Sequence, residues 1–325
     1  MKKNLTAILF VLFSCQSFAQ NVHLNQIPSP QIFKGNETTA FRDPAVIFND
    51  GWFHLFFTMT EIERDGKIFS YTATSMSDDL IHWTTPRKLT PRDQRLNYSS
   101  PGDIIKYKNE WLLCLQTYPR PDYDVSQMPK YGDQTARLFI MRSNDLQYWS
   151  KPELLKVKGA AVPESEMGRM IDPYLIQDKD QPSKYWCFYK QNGVSLSYTY
   201  DFENWTWFGR TDAGENVCVL TDNNQYIMLH SPSNGIGIKR SENLVNWFEQ
   251  GSLITLGQNE WQWAKGRITA GTVIKLKDNQ DAKYLMFFHG SGPLTEKEGD
   301  FDKNASIGIA WSNDLQTWTW PGKEK

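Results

Sequence analysis

Residues 41–57 read Phe-Arg-Asp-Pro-Ala-Val-Ile-Phe-Asn-Asp-Gly-Trp-Phe-His-Leu-Phe-Phe, and this stretch decides the fold. Two apolar, β-prone runs flank Asn49-Asp50-Gly51, which is a strong signal for a hairpin turn. Asp43 precedes a proline, which disfavours the helical region for the residue before it, so Asp43 is predicted to be extended. The stretch therefore predicts a β-hairpin that presents a carboxylate at the start of an otherwise buried strand.

A short signature ending in tryptophan recurs five times along the chain. The copies are Ser77–Trp83, Ser143–Trp149, Tyr200–Trp205, Ser241–Trp247 and Ser312–Trp318, of which the third is degenerate. Each copy lies between two strand-like runs, where Ser, Asp and Asn side chains cap their own backbone. A hairpin precedes each copy, and the first strands of these hairpins are predicted to begin at Asp43, Asp103, Asp172, Glu215 and Thr272. Four strands in each of five units predict an all-β fold, a five-bladed β-propeller with four antiparallel strands per blade. A β-sandwich would not place five signatures in phase.

The first residues of the chain are predicted to be a signal peptide. A lysine pair precedes the apolar run 5–13, and Ala19 ends a small-residue cleavage site. We therefore expect residues 1–19 to be removed and residues 20–325 to form a single propeller domain, exported to the periplasm or the exterior. Lipoprotein processing at Cys15 is the alternative. The three other cysteines lie in apolar strand runs and are predicted to be core thiols.

Composition excludes several classes of function. The net charge is −2 and the isoelectric point is near 6.2, so the chain has no basic footprint for nucleic acid. No stretch after the signal peptide is long and apolar enough to span a membrane. No CxxC or HExxH metal motif occurs. The 13 tryptophans suit the recognition of sugar rings, although most are expected to pack between sheets. The expected partner is an oligo- or polysaccharide, and the chain is expected to be a monomer.

The strand order predicts one functional face. If first strands run away from this face, second strands return to it and end at Thr58, Gln116, Lys190, His230 and His289. Two insertions, 118–134 and 291–304, fall on the same face, and long loops gathered on one face indicate function.

Four carboxylates are predicted to meet at the centre of this face. They are Asp43, Asp103, Asp172 and Glu215, each at the start of an innermost strand. Clustered carboxylates repel one another and split their pKa values. Cleavage of a glycosidic bond needs such a set, with one acid for the leaving oxygen and one base or nucleophile at the anomeric carbon. For any single Asp, a strand cap or a cation ligand is the alternative.

This arrangement resembles the glycoside hydrolases of family 43 and their relatives in families 32, 62, 68 and 117. The resemblance implies that Asp43 is the catalytic base, that Asp172 orients the site and tunes the acid, and that Glu215 is the general acid. It also implies an inverting enzyme of arabinofuranosidase or xylosidase type, acting on plant or algal saccharides without a required cofactor. Glu164 and Glu166 are the alternative acids. Family-43 enzymes often carry a histidine in the first strand of blade five; here a structural Ca²⁺ or Na⁺ in the central channel would have to use His289.

Further side chains are candidates for contact with substrate: Arg42, Asp103, Lys190, His230, Trp263, Arg267 and His289. The arginines could equally form structural ion pairs, and a lone histidine at a strand end is more often only hydrogen-bonded. Two other functions remain open. One is a phosphorolytic relative that would bind phosphate through Lys190, Arg267 and His289, and the other is a sugar-binding propeller without catalysis.

Overall fold

The computed structural model describes residues 22–277 and 279–323. The predicted signal peptide, its cleavage site near Ala19 and the alternative lipidation site at Cys15 lie outside the described residues. Helices among the described residues are single 3₁₀ turns, and none could span a membrane. They cover Leu24–Gln26, Val125–Gln127, Glu164–Glu166, Gln262–Ala264 and Glu296–Glu298.

The predicted five-bladed propeller is confirmed. Each of five antiparallel sheets is one blade, and its strands follow in chain order from the axis outward. Blade one contains β2 (Thr39–Asn49), β3 (Trp52–Ile62), β4 (Ile68–Ser77) and β5 (Arg87–Lys88). Blade two contains β6 (Ile104–Tyr107), β7 (Glu110–Gln116), β8 (Leu138–Ser143) and β9 (Glu153–Leu154). Blade three contains β10 (Ile171–Gln177), β11 (Tyr185–Lys190), β12 (Val194–Thr199) and β13 (Trp205–Thr211). Blade four contains β14 (Glu215–Asp222), β15 (Gln225–Ser233), β16 (Gly235–Ser241) and β17 (Phe248–Glu249).

Blade five closes the ring with strands from both ends of the described chain. It contains β18 (Arg267–Lys275), β19 (Tyr284–Ser291) and β20 (Ser306–Ser312), whose outer edge is shared by β1 (Gln31–Phe33) and β21 (Trp318–Thr319). Strand β1 pairs with residues 307 and 308, and β21 pairs with residues 311 and 312. An N-terminal segment is therefore hydrogen-bonded to the last blade, which joins blade one to blade five.

The repeated signature forms the turn between the third and fourth strands, on the side away from the predicted functional face. In blade one, Ser77 Oγ accepts the Leu80 N–H at 2.8 Å, Asp79 Oδ1 accepts the Ile81 N–H at 2.8 Å, and Trp83 Nε1 donates to the Leu80 carbonyl at 3.2 Å. Leu80 has a φ of 66°, and the equivalent residue of every other blade also lies between 62° and 65°.

The third copy of the signature is less degenerate than the sequence indicated. It begins one residue earlier, at Thr199, whose Oγ1 accepts the Phe202 N–H at 3.0 Å. Asp201 Oδ1 accepts the next two N–H groups, from Glu203 and Asn204. Threonine thus replaces serine, and phenylalanine replaces leucine, but the Trp205 Nε1–H has no hydrogen-bond partner among the described residues, unlike the tryptophans of the other four copies.

The core lies between the blades. Alternating apolar residues of neighbouring sheets pack against each other, as expected for strands buried on both faces. The predicted core thiols are confirmed, because Cys114, Cys187 and Cys218 are buried and unpaired.

Candidate active site

A cavity of about 610 Å³ opens on the face where the innermost strands begin. Asp43, Asp172 and Glu215 line it, and they come from blades one, three and four. Of the predicted substrate contacts, Arg42, Lys190 and Arg267 also line it. Both predicted insertions contribute to its wall, through residues such as Tyr118 and Phe301.

The carboxylates are placed by an irregularity that each blade repeats. The register between the first and second strands shifts beside the cavity in blades one, three, four and five, as in a β-bulge. The bulge residue has a positive φ in every blade: Asp43 (49°), Ser100 (40°), Asp172 (52°), Asn216 (50°) and Ala270 (53°). A non-glycine residue at positive φ is uncommon, and such conformations concentrate at functional sites.

The prediction that four acids stand in register is therefore wrong. Asp43 and Asp172 occupy the bulge, but Glu215 stands one position before it, opposite Ser231, and Asp103 stands three positions after Ser100. Thr272 likewise lies inside β18, since that strand begins at Arg267.

Four bulges are fastened by the blade before them. The backbone N–H of Ser100 donates to Thr58 Oγ1 (2.7 Å), that of Asp172 to Gln116 Oε1 (2.5 Å), that of Ala270 to Ser231 Oγ (3.0 Å), and that of Asp43 to His289 Nδ1 (3.1 Å). We call these four contacts the bulge clasps. In each, the acceptor stands near the end of the second strand of one blade and holds the bulge of the next. The position that would complete the ring, between blades three and four, is occupied by Lys190, which is opposite Ile171. A lysine ammonium has no acceptor.

Asp43 is held as a hydrogen-bond acceptor. Its Oδ2 accepts hydrogen bonds from the hydroxyls of Thr58 (2.8 Å) and Ser100 (3.1 Å), and the residue is buried. His289 Nδ1 lies 3.5 Å from Oδ1. These two hydroxyl donors fix the position of the Asp43 carboxylate in the cavity wall.

The pKa of Asp172 depends on the charges of the two other carboxylates. Burial, then the charges of Glu215 and Asp43, raise the pKa of Asp172 to about 7, while Arg169 and a hydrogen bond from Ser100 act in the opposite direction. The charge of this side chain therefore depends on the ionisation of both neighbours.

Glu215 is the most accessible of the three carboxylates, with 34% of its side chain exposed. Its Oε1 accepts a hydrogen bond from Arg267 Nη2 at 2.6 Å. The other arm of the same guanidinium, Nη1, donates to Glu296 Oε2 at 2.7 Å. Glu296 thus offsets a positive charge that would otherwise act on Glu215 alone.

Glu296 is a site residue that the sequence analysis missed. It lies in the insertion 291–304 and receives contacts from Arg42, Arg267, His289 and Ser291. Burial opposes ionisation, but Arg42, His289 and Arg267 together hold the pKa of Glu296 well below its usual range. A signal for this turn existed in the sequence, because Thr295 and Glu298 form a capping box, which marks the start of a helical turn.

His289 connects Asp43 to Glu296. Because its Nδ1 accepts the Asp43 N–H, the proton of the neutral ring is assigned to Nε2, which faces Glu296 Oε1 at 3.3 Å. Burial holds the pKa of His289 below its usual value. Both ring nitrogens are therefore engaged, so His289 is not free to hold the cation that the sequence analysis allowed for. Among residues 22–277 and 279–323, no group of three or more His, Cys, Asp and Glu is arranged to hold a metal ion.

The two insertions lock together over one side of the cavity. Arg120 Nη1 and Asp302 Oδ1 form an ion pair of 2.6 Å, with both side chains 1% exposed. Tyr123 donates to Asp302 Oδ2 at 2.6 Å, and Arg120 Nη2 donates to Ser70 Oγ at 2.8 Å. The wall is therefore built from blades one, two and five rather than from a single loop.

Asp103 does not line the cavity. It follows the bulge of blade two, and its charge acts on Tyr174 and Cys218, which line a small space of about 30 Å³ that Asp43 and Asp172 also border. Burial raises the pKa of Asp103 to about 8. The extra residues between Ser100 and β6 carry it past the position expected for a substrate contact.

His230 and Trp263 also lie away from the cavity. In blade four Ser231, not His230, is opposite Glu215, and a shift of one residue turns a strand side chain to the other face. His230 Nδ1 instead accepts the Gly214 N–H at 2.9 Å. Trp263 stacks on Trp261 with ring centroids 5.1 Å apart, and both pack against the core.

The alternative acids are exposed outside the cavity. Glu164 and Glu166 lie on a 3₁₀ turn, where Glu164 uses its backbone carbonyl to accept hydrogen bonds from Arg137. Neither side chain lines the cavity. The phosphate site considered from the sequence is also weakened, because Arg267 is paired with two carboxylates and His289 is engaged at both nitrogens.

The arrangement can support general acid–base chemistry. Blades one and four are not neighbours in a ring of five, so Asp43 and Glu215 face the cavity from different sides with space between them. One carboxylate accepts hydroxyl hydrogen bonds, one is accessible to a ligand, and a third between them titrates near neutral pH. This combination allows one proton to be taken and another given on either side of a bound molecule.

Comparison with solved structures finds the same fold in several glycoside hydrolases. The catalytic domain of a GH62 alpha-L-arabinofuranosidase from Coprinopsis cinerea matches with a TM-score of 0.59 and 16% identity, over 87% of this chain and 97% of that chain. A thermostable family-43 glycoside hydrolase matches with a TM-score of 0.56 and 13% identity, over 93% and 96% of the two chains. The RS223 beta-xylosidase matches with a TM-score of 0.59 and 11% identity, over 86% and 95%. No protein-family model and no curated protein matches the sequence. At these identities the likeness establishes the fold.

Proposed function

We propose that this protein is a glycoside hydrolase that cleaves its substrate with inversion at the anomeric carbon. The observation that carries the proposal is the convergence of Asp43, Asp172 and Glu215 on one cavity, with the pKa of Asp172 raised by burial and then by the charges of the other two. The likeness in fold to proteins named as arabinofuranosidase and beta-xylosidase supports glycosides of arabinose and xylose as the first substrates to test.

In the proposed reaction Asp43 takes a proton from a water molecule as that water attacks the anomeric carbon. Glu215 donates a proton to the leaving oxygen, so that the glycosidic C–O bond breaks without a free alkoxide. Asp172, whose own pKa is raised by burial and by the charges of Glu215 and Asp43, changes its charge in response to both groups as they exchange protons. An inverting site of this kind leaves roughly 6.5–9.5 Å between acid and base to admit the water.

Product release from aryl glycosides and from plant or algal oligosaccharides tests the proposal. We expect Asp43→Asn and Glu215→Gln each to lower kcat by about 10² to 10⁴, since general acid–base catalysis contributes on that order. Glu164→Gln is the matched control and should leave the rate unchanged, because Glu164 lies outside the cavity. Proton NMR of the first product should show the anomer opposite to that of the substrate.

Three results would contradict the proposal in different ways. Activity that survives in Glu215→Gln would remove that residue as the acid. A first product with retained configuration would make Asp43 a nucleophile instead of a base. Sugar binding without turnover of any glycan, unaffected by both substitutions, would make the protein a binding propeller. Export of the chain remains a prediction of the sequence, and we propose it alongside this function.

A further inference from the structure

Lys190 differs in kind from the residues at the equivalent position of the other four blades. At the equivalent place, blades one, two, four and five each carry an acceptor that clasps the next bulge: Thr58, Gln116, Ser231 and His289. A lysine cannot act in this way, because its ammonium only donates. The chain therefore carries a cation at the position where the other four blades carry a hydrogen-bond acceptor, and this cation lines the cavity.

A side cleft leads from the main cavity past Lys190. It has a volume of about 340 Å³ and is lined by Gln134, Gly168, Arg169, Lys190, Gln191 and Asn192. Arg169 and Lys190 line both spaces, so the cleft continues the cavity between blades two and three. Its lining contains two cations, three amides and a glycine, and no carboxylate.

The two cations of the cleft are not neutralised by an ion pair. Among the described residues, no carboxylate oxygen lies within 4.0 Å of Arg169 or Lys190, whereas the cavity arginines Arg42, Arg120 and Arg267 are all paired. The one hydrogen bond from the Arg169 side chain goes from Nε to the Gly132 carbonyl at 3.4 Å. Asp133, the next residue, directs its carboxylate to the Thr135 N–H at 2.7 Å. Both cations are thus available to an anion.

The cleft is held in shape before any ligand arrives. Gln191 Nε2 donates to the carbonyls of Met167 and Arg169, at 3.0 and 2.9 Å, and so fixes the backbone that carries the arginine. Gly168 has a φ of 71°, and a Cβ there would lie 3.1 Å from the same amide nitrogen. Lys190 is fixed by strand pairing with Ile171 and Val194.

We propose that this cleft is a subsite for an anionic sugar, so that the substrate carries a carboxylate or a sulfate ester on the residue that contacts Arg169 and Lys190. The inference rests on the proposed hydrolase function and names its substrate class. A guanidinium and an ammonium that line the same cleft, neither of them in an ion pair with a described residue, are suited to bind an anion, and the side-chain amides of Gln134 and Asn192 can hold the sugar hydroxyls around it. The main cavity, with its three carboxylates, receives the neighbouring residue whose glycosidic bond is cleaved.

The test uses matched pairs of oligosaccharides that differ only in charge. One arm compares uronate-bearing oligosaccharides with the same compounds after reduction of the carboxyl group. The second arm compares sulfated oligosaccharides with their desulfated forms. The full chain, Lys190→Gln and Lys297→Gln are assayed for product release, and binding is measured separately by calorimetry on Asp43→Asn. Lys297 is the matched control, because it lines the main cavity from the blade-five insertion but not the side cleft.

We expect the charged member of one pair to have the higher kcat/KM, and Lys190→Gln to reduce that kcat/KM by about 10- to 100-fold through KM. Lys297→Gln should leave the ratio between charged and neutral substrates unchanged. The preference for the charged substrate should also weaken when the salt concentration is raised from about 0.05 to about 0.5 M, because salt screens exposed charges. The arm that shows the preference identifies the anion as carboxylate or sulfate.

Other outcomes distinguish failure of the proposed subsite from failure of the proposed hydrolase function. Equal turnover of charged and neutral members, with no effect of Lys190→Gln on their ratio, would overturn the subsite and leave the hydrolase intact. Lys190-dependent binding of an acidic oligosaccharide without turnover of any glycan would support the subsite and reject the hydrolase. Turnover that requires added inorganic phosphate would overturn the subsite, since the cations would then serve a co-substrate.

Discussion

Asp302→Asn should destabilise the protein strongly, because it removes the charge from a buried ion pair and leaves the other member in place. Arg120 and Asp302 are each 1% exposed at the side chain, and their contact is 2.6 Å. After the substitution the guanidinium keeps only neutral acceptors among the described residues, which are the introduced amide oxygen, Ser70 Oγ at 2.8 Å and the Lys130 carbonyl at 3.3 Å. Breaking a buried pair from one side costs about 3–5 kcal/mol of unfolding free energy. At about 2 °C per kcal/mol for a chain of this size, the melting temperature should fall by about 6–10 °C.

The assay is thermal and urea unfolding at pH 7, followed by circular dichroism. The double variant Arg120→Met with Asp302→Leu removes both charges, so it should recover most of the loss even though each single change is costly. Glu37→Gln is the control, since it breaks an exposed ion pair, that of Glu37 with Lys303, in which Glu37 is 77% exposed. Its effect should stay within about 0.5 kcal/mol. A loss below about 1 kcal/mol in Asp302→Asn, or a double variant less stable than the single one, would refute the reasoning.

Three further predictions concern the site and the space below it. Glu296→Gln leaves Arg42 without its carboxylate partner and Arg267 with Glu215 alone, so the unfolding free energy should fall by about 3 kcal/mol; a loss below about 1 kcal/mol would contradict this. Thr58→Val keeps the shape but removes both a donor to Asp43 and the acceptor of the Ser100 N–H, so kcat should fall about tenfold with little change in KM, and the unfolding free energy should fall by about 1–3 kcal/mol; an equal loss in KM would indicate a general distortion. Asp103 has a pKa raised by burial to about 8, so the stability it contributes is complete below its ordinary value near 3.9 and is lost as pH rises through 8. Asp103→Asn should therefore reduce the fall in unfolding free energy between pH 4 and pH 8 by about 2 kcal/mol, a value discounted for the partial exposure of the side chain. Parallel curves of unfolding free energy against pH for the two proteins would contradict a raised pKa at Asp103.

The sequence predicted the architecture well because its strongest signal is local. In the repeated turn, side chains such as Ser77 and Asp79 bond to N–H groups only two or three residues away, so the pattern can be seen without knowing any partner strand. Asp43 and Asp172 were found for a similar reason, since an Asp-Pro step at the start of a strand is visible in the chain itself. Both now lie at equivalent positions.

The register of the first strands could not be predicted in the same way. A bulge is defined by the residue opposite it. Ser100 is followed by a proline, as Asp43 and Asp172 are, but it carries no carboxylate, and Ala270 has neither feature. The error at His230 is one of strand length, because the predicted second strand of blade four stops one residue before Ser231, the position opposite Glu215. Glu296 was missed because it reaches the site through a fold-back of an insertion, which depends on Arg42 and Arg267 from other segments.

The bulge clasp on Asp43 joins blade five to blade one, where the ring closes. Its acceptor, His289, belongs to the last blade, and the outer edge of that blade is completed by Gln31–Phe33, more than 250 positions earlier in the chain. Folding intermediates in which blades one to four have formed would therefore hold their β-structure while the Asp43 backbone still lacks its hydrogen bond to His289. Specific activity should then be proportional to the fraction of molecules whose ring is closed, not to the fraction with folded blades. A single proteolytic cut near the junction of blades one and five should inactivate a molecule and leave its circular dichroism almost unchanged.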